Sequence, residues 1–179
     1  MNKIAIIGTA GRDKTIPMSL ALWHWMLDDA SSHMPLHAHV VSGGAAWADH
    51  LAVALFLSGD AHKLTLHLPA PFANGRFQGT SGSSGSAANY YHELFSRTIG
   101  INTLSQIQQV ASMEHVDGSF EPAAIGYTAM FTRNKKVANA DHMLAYTFGI
   151  GNVPADGGTA NTWNLCKGQR IHVPLPRNL

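Results

Sequence analysis

Residues 4–7 (Ile-Ala-Ile-Ile) form a continuous apolar run closed by Gly8-Thr9-Ala10-Gly11-Arg12. A strand buried on both faces reads this way, and such strands belong to parallel sheets. Residues 17–29 predict a helix, with Pro17 suited to its first turn and Leu20, Trp23 and Leu27 at helical spacing. A second strand at 39–41 (His-Val-Val) runs into Ser42-Gly43-Gly44-Ala45. From there to Ser58 the chain is apolar nearly all round, as a helix buried against a sheet would be. Residues 62–68 alternate and predict a third strand, stopped by Pro69 and Pro71.

The pattern then breaks. Residues 69–88 include Gly79-Thr80-Ser81-Gly82-Ser83-Ser84-Gly85-Ser86, polar and without periodicity, which predicts a long loop. Helices are expected at 89–97 and 104–113, and another ending near Asn139. A strand follows at 142–147, a Gly/Pro loop at 149–158, a helix at 159–167 and a last strand at 170–173. Strands alternating with helices predict an α/β fold. The expected form is a Rossmann-like parallel sheet with helices on both faces and a Gly/Ser-rich insertion after the third strand. Residues 1–179 read as one domain, with 69–100 as an insertion or lid region.

Composition narrows the function. The 179 residues are 45% hydrophobic and 13% charged, enough for a full core and unlike a disordered tail. The formal net charge is +1, and Lys and Arg form no run, so no nucleic-acid partner is expected. Cys166 is the only cysteine, which excludes an intrachain disulfide and a cysteine-based zinc site. Among 11 histidines, His37-Ala38-His39 alone suggests two imidazoles on one strand face, with no carboxylate or cysteine at ligand spacing. Neither a metal nor a cofactor is expected. No apolar stretch reaches the roughly 20 residues of a membrane span, and the short N-terminal run lacks a cleavage pattern. A cytoplasmic protein without a membrane partner is therefore expected. Trp23, Trp25 and Met26 offer a helix face for a homodimer or larger homo-oligomer.

In open parallel sheets, ligands bind beyond the carboxyl ends of the strands. Three glycine-bearing segments follow predicted strands there: Gly8-Thr9-Ala10-Gly11-Arg12, Ser42-Gly43-Gly44-Ala45 and Asp156-Gly157-Gly158-Thr159. Glycine lets backbone approach an anion, and the first amides of a helix present free N–H groups with a favourable dipole. Tight turns alone would also use these glycines, but three at corresponding ends of one sheet favour a shared anion site. Arg12 is placed to clamp a phosphate. Asp49, one turn into an otherwise apolar helix, must either cap that helix or accept bonds from a ligand, for which ribose hydroxyls are natural donors. Tyr90 and Tyr91 open a helix beyond the Gly/Ser segment, where an aromatic ring could stack on a base.

The run Ser42-Gly43-Gly44-Ala45-Ala46-Trp47-Ala48-Asp49-His50-Leu51-Ala52 resembles the Ser-Gly-Gly-Ala-x-x-x-Asp-x-x-Ala pattern of the SLOG superfamily. That group joins the Rossmann domain of DNA-processing protein A to the Lonely-guy and lysine-decarboxylase-like proteins. Arg133-Asn134, ahead of Ala140-Asp141-His142-Met143-Leu144-Ala145, is similar to a further pattern of small members. Asp156-Gly157-Gly158-Thr159-Ala160-Asn161-Thr162 resembles a divergent Pro-Gly-Gly-x-Gly-Thr loop. The resemblance covers both ends of the chain but not its Gly/Ser-rich middle.

It implies a nucleotide or nucleotide-derived ligand held by the glycine loops, with Tyr90, Arg133, Asn134 and Thr162 beside it. Lonely-guy enzymes cleave the base from nucleoside monophosphates with a glutamate just after their glycine loop. Here residues 161–168 carry no carboxylate, so Asp49, Asp156 or Glu93 would have to act. Asp49 and Glu93 are the candidate catalytic groups if the protein is an enzyme. A sensor or sequestering protein for a nucleotide is favoured. A phosphoribohydrolase and a DNA-associated module like DNA-processing protein A are the alternatives.

Overall fold

The computed structural model describes residues 2–126, 128–155 and 157–179. In chain order the elements are β1 (Lys3–Gly8), α1 (Leu20–Ser32), β2 (Ala38–Ser42), a 3₁₀ turn (Trp47–His50), α2 (Leu51–Ser58) and β3 (Ala61–Leu68). A small hairpin of β4 (Phe72–Ala73) and β5 (Arg76–Phe77) leads to α3 (Ser84–Ile99) and α4 (Thr103–Val110). The chain finishes with β6 (Val116–Phe120), α5 (Thr128–Val137), β7 (His142–Thr147), α6 (Gly158–Leu165) and β8 (Gln169–Pro174). Six strands form one sheet in the order β6-β3-β2-β1-β7-β8, every neighbouring pair parallel. The predicted Rossmann-like α/β architecture is the observed one.

The apolar runs explain the layers. Successive side chains of a strand point to opposite faces. Ile4 and Ile6 of β1 therefore join Val40, Leu64, Leu144 and the helices α1, α2 and α3 in one core, around Leu22, Met26, Leu55 and Phe95. Ala5 and Ile7 join Met143, Ala145, Val137 and Trp163 in a second core under α5 and α6. Right-handed crossovers account for the division. The steps from β1 to β2, β3 and β6 run in one direction and place α1 to α4 on one face. From β6 the chain returns across the sheet to β7, so α5 and α6 cover the other.

That second face is only half covered. Over β2, β3 and β6 it carries polar cross-strand pairs: His39 with Thr65 at 2.8 Å, His67 with Ser119 at 2.8 Å, and Lys63 with Asp117 at 2.7 Å. β6 has no counterpart in the sequence prediction, because Val116-Asp117-Gly118-Ser119-Phe120 is short and its apolar face carries only two side chains, Val116 and Phe120, on either side of Gly118.

The Gly/Ser segment also differs from its reading as a loop. Helix α3 begins at Ser84, where Ser83 caps it by accepting from the Ser86 amide at 3.2 Å. Ser84 donates to the Pro69 carbonyl at 2.8 Å, so these small polar residues bind the helix start to the hairpin. Trp23 and Met26, read as a dimer face, are core residues (5% and 0% exposed). No helix among the described residues is long and apolar enough to cross a membrane.

Candidate functional site

Strand order reverses at β1, which has β2 on one side and β7 on the other. Loops leaving strands on either side of such a point diverge and open a crevice at their carboxyl ends. A cleft of about 420 Å³ lies there, within the size range of small-molecule sites. Its walls come from the loop after β1 (Gly8, Thr9, Ala10, Arg12), from Ala45 and Asp49 after β2, from α5, and from the start of α6.

Close packing sets the shape of these loops. A Cβ at Gly8 would meet the Tyr146 carbonyl and stand 2.8 Å from the Ala48 Cβ. Glycine is thus the residue that lets β1 pass under the 3₁₀ turn. The Thr9 amide donates to Tyr146 O at 2.8 Å and the Ala48 amide donates to Thr9 O at 3.1 Å, tying the first two loops together. Thr159 Oγ1 donates to Gly8 O at 3.1 Å and joins the start of α6 to them. The first amides of α6 have no helical carbonyl to bond, and Gly157, Gly158 and Thr159 line the cleft.

Asp49 sits on the cleft floor, 4% exposed. Its Oδ2 accepts from Arg133 Nη1 at 2.9 Å and from the Ala45 amide at 3.3 Å, and its backbone carbonyl accepts from Ser42 Oγ at 2.7 Å. Asp49 is thus neither a simple helix cap nor an unpaired acid. It forms a buried ion pair with a cation of α5. Arg133 Nε is buried without a hydrogen-bond partner among the described residues. Gly43 leaves room for the pair, since a Cβ there would fall on the Arg133 guanidinium.

Behind the second loop lies a buried histidine pair. His92 of α3 donates from Nε2 to Gly44 O at 3.1 Å, while its Nδ1 shares a hydrogen bond with Thr103 Oγ1 at 2.9 Å. His50 bonds Gln106 Oε1 at 2.8 Å, and the two rings are 5.6 Å apart. Burial pushes His50 down to about 3 and His92 to about 4. Both are neutral imidazoles that support the loop.

Twelve of the residues singled out in the sequence line the cleft: Gly8, Thr9, Ala10, Arg12, Ala45, Asp49, Arg133, Asn134, Gly157, Gly158, Thr159 and Thr162. Gly11 packs against Trp47, while Ser42, Gly43 and Gly44 form the support beneath. Asp156 lies outside the described residues. Glu93 is elsewhere: it pairs with Arg76 at 2.7 Å in a separate depression beside α3 and α4. Tyr90 does not line the cleft. Its neighbour Tyr91 lies beneath Arg12, whose guanidinium carbon is 5.2 Å from the ring centre and whose Nη2 donates to Met130 Sδ at 3.4 Å. Asp13, Met130, Phe131 and Val137 also line the cleft and were not singled out in the sequence. The helical spacing of the last three with Arg133 and Asn134 was the available signal. Among the described residues no group of three ligating side chains is set around one metal position.

No family model matches the chain. Among solved structures it is similar to DNA processing protein A from Helicobacter pylori, described for its single-stranded DNA binding mode. The TM-score is 0.60 at 16% identity, over 99% of this chain and 67% of that one. This likeness shows the fold, and it corrects one expectation. The near-neutral charge had argued against nucleic acid, yet a protein of this fold binds single-stranded DNA. A net charge averages over a whole surface and does not report on one crevice, and here Arg12 and Arg133 both line the cleft in a chain of net charge +1. The chain is also 34% identical over 175 residues to the uncharacterized protein R261 of Acanthamoeba polyphaga mimivirus, covering 92% of this chain and 91% of that protein. It belongs to the family of that viral protein.

Proposed function

We propose that the protein binds a phosphorylated nucleotide in the cleft between β1 and β7, as a small member of the SLOG superfamily. The convergence of Gly8, Arg12 and the α6 start at the point where strand order reverses carries this reading. In it, the phosphate meets the first amides of α6 and the Arg12 guanidinium. Asp49 uses Oδ2 for Arg133 and Ala45, which leaves Oδ1 for a sugar hydroxyl. Met130, Phe131 and Val137 give the base an apolar wall.

A second reading places the sugar-phosphate backbone of single-stranded DNA in the same cleft, supported by the likeness to the Helicobacter protein. Phosphoribohydrolase chemistry is the less favoured form of the first reading. Glu93 pairs with Arg76 away from the cleft and Asp49 is committed to Arg133. Calorimetric titration with nucleoside monophosphates, the matching nucleosides and a short single-stranded oligonucleotide separates the readings, with chromatography of the mixtures to detect free base. The first reading expects saturable binding of a monophosphate, much weaker binding of its nucleoside, and no release of base. Binding of the oligonucleotide alone replaces it with the second.

A further inference from the structure

A second depression, of about 520 Å³, opens between the β4-β5 hairpin, α3 and the start of α4. Glu93, Ser96 and Arg97 supply its α3 wall, at the three- and four-residue spacing of one helix face. Arg76 comes from the hairpin and Asn102 from the start of α4. The charges here do not cancel. Glu93 accepts from Arg76 Nη2 at 2.7 Å. Arg97, one turn along α3 from Glu93, is exposed and has no hydrogen bond or ion pair among the described residues. Two guanidiniums therefore share one carboxylate, and a guanidinium presents its N–H groups in a fork that matches phosphate and carboxylate oxygens. A cation in the last turn of α3 suits the helix dipole, but the dipole does not account for what lies behind Arg97.

From Ser96 a chain of hydrogen bonds runs through the core to the second glycine loop. His92 Nε2 donates to Gly44 O at 3.1 Å, so Nδ1 accepts from Thr103 Oγ1 at 2.9 Å. With the Thr103 proton committed, Ser96 Oγ donates to Thr103 Oγ1 at 2.9 Å. The chain has one direction, from Ser96 through Thr103 and His92 to Gly44, and both middle residues are fully buried. Beyond Gly44, the Ala45 amide holds Asp49 Oδ2 at 3.3 Å. Helix α4 does not need this chain as a cap, because Asn102 Oδ1 accepts from the Ser105 amide at 3.0 Å. Apolar side chains would fill the same space. A buried polar chain fixes hydrogen-bond geometry from one end to the other instead.

We infer that the depression is a second ligand site, which binds a small phosphate- or carboxylate-bearing anion between Arg76 and Arg97, and that Ser96, Thr103 and His92 pass its occupancy to the Gly44 loop. An anion oxygen against this wall draws the Ser96 proton away from Thr103. The bond from Thr103 to His92 then loses its polarising neighbour, and the bond from His92 to Gly44 weakens with it. The loop that holds Asp49 is thereby tied to a ligand that never enters the cleft.

The test is NMR titration of ¹⁵N-labelled protein with pyrophosphate and, separately, with citrate, at constant ionic strength to hold screening fixed. At least one of the two should give saturable shifts at the Arg97, Asn102 and Leu104 amides at millimolar concentration or below, and the tighter one names the chemical class. The His92 Nε2–H proton, protected from exchange by burial, should shift with the same midpoint. Arg97→Gln should weaken the anion about tenfold, the scale of one charge-assisted hydrogen bond, and the His92 response should weaken with it. Arg12→Ala, which alters only the cleft, should leave both midpoints unchanged. Ser96→Ala should keep the Arg97 and Asn102 shifts and silence His92. Amide spectra verify the fold of each variant, and if Ser96→Ala is disturbed, the His92 response of the parent and of Arg97→Gln decides. No saturable shift at the depression with either anion, a midpoint unchanged by Arg97→Gln, or an unmoved His92 proton in the saturated protein would overturn the proposal.

Discussion

Arg133 Nη1 donates to Asp49 Oδ2 at 2.9 Å, and the two side chains are 10% and 6% exposed. A charge pair this deep owes its stability to mutual compensation, because either partner alone would be a desolvated ion. Asp49→Ala should therefore cost about 3–5 kcal/mol of folding stability. Asp49→Leu combined with Arg133→Met should recover most of the loss, since apolar replacement of both partners removes the stranded charge. Urea unfolding of the single and double variants measures both effects. A single variant with the parent's midpoint would mean that water already compensates the pair.

Gly43 is the clearance for that pair. Gly43→Ala sets a methyl group where the Arg133 guanidinium lies, with Asp49 Oδ2 2.8 Å away. Overpacking of this kind costs about 1–3 kcal/mol. The variant should lose stability and nucleotide affinity together, as judged by thermal melts and titration on one preparation. Unchanged values for both would show that Arg133 has another place to go.

Arg12 should discriminate by phosphate. Arg12→Ala is expected to weaken binding of a nucleoside monophosphate by about 1.5–3 kcal/mol, the usual range for hydrogen bonds to charged groups. The unphosphorylated nucleoside should change little. Equal losses for the two ligands would assign the contact between Arg12 and Tyr91 a role in holding the base instead.

The buried histidines make stability depend on pH. His50 and His92 lie at about 3 and about 4 in the folded protein, both lowered chiefly by burial. In the unfolded chain both titrate near 6.5. Between these values the unfolded state binds more protons. Stability is therefore complete above about pH 6.5 and falls as the pH drops towards 4, by up to roughly 1.4 kcal/mol per pH unit for each histidine. Urea midpoints between pH 7.5 and 5 should track this slope. His50→Leu paired with Gln106→Leu, which removes one titrating group and its partner, should reduce the slope. A midpoint independent of pH across this window would contradict the buried, neutral assignment.

Strands buried on both faces were the easiest part of the fold to read. Residues 142–147 match β7 end for end, because both of its neighbours and both of its faces demand apolar residues. β6 escaped because it is an edge strand with one uncovered face, so its sequence obeys hydrogen bonding to β3 rather than burial. The first turn of α3 escaped because serine and glycine there serve packing against the hairpin, and composition alone cannot distinguish that from a loop. At the site, the glycine loops were legible as punctuation. The identity of Asp49's partner was not, because ion pairing between a residue after β2 and one on α5 depends on how the chain returns across the sheet.

That return has a consequence for folding. Asp49 and Arg133 are 84 residues apart, and Gly8 and Thr159 are 151 apart. The cleft is assembled from the first and last thirds of the chain, after β6 has been laid down at the far edge and the backbone has travelled back over the second face. Contacts of such long range form late and slowly. Neither half of the polypeptide contains the whole cleft, so binding of the nucleotide proposed for it would report completion of the whole fold, whereas helix content would already be high in a chain stalled at α4.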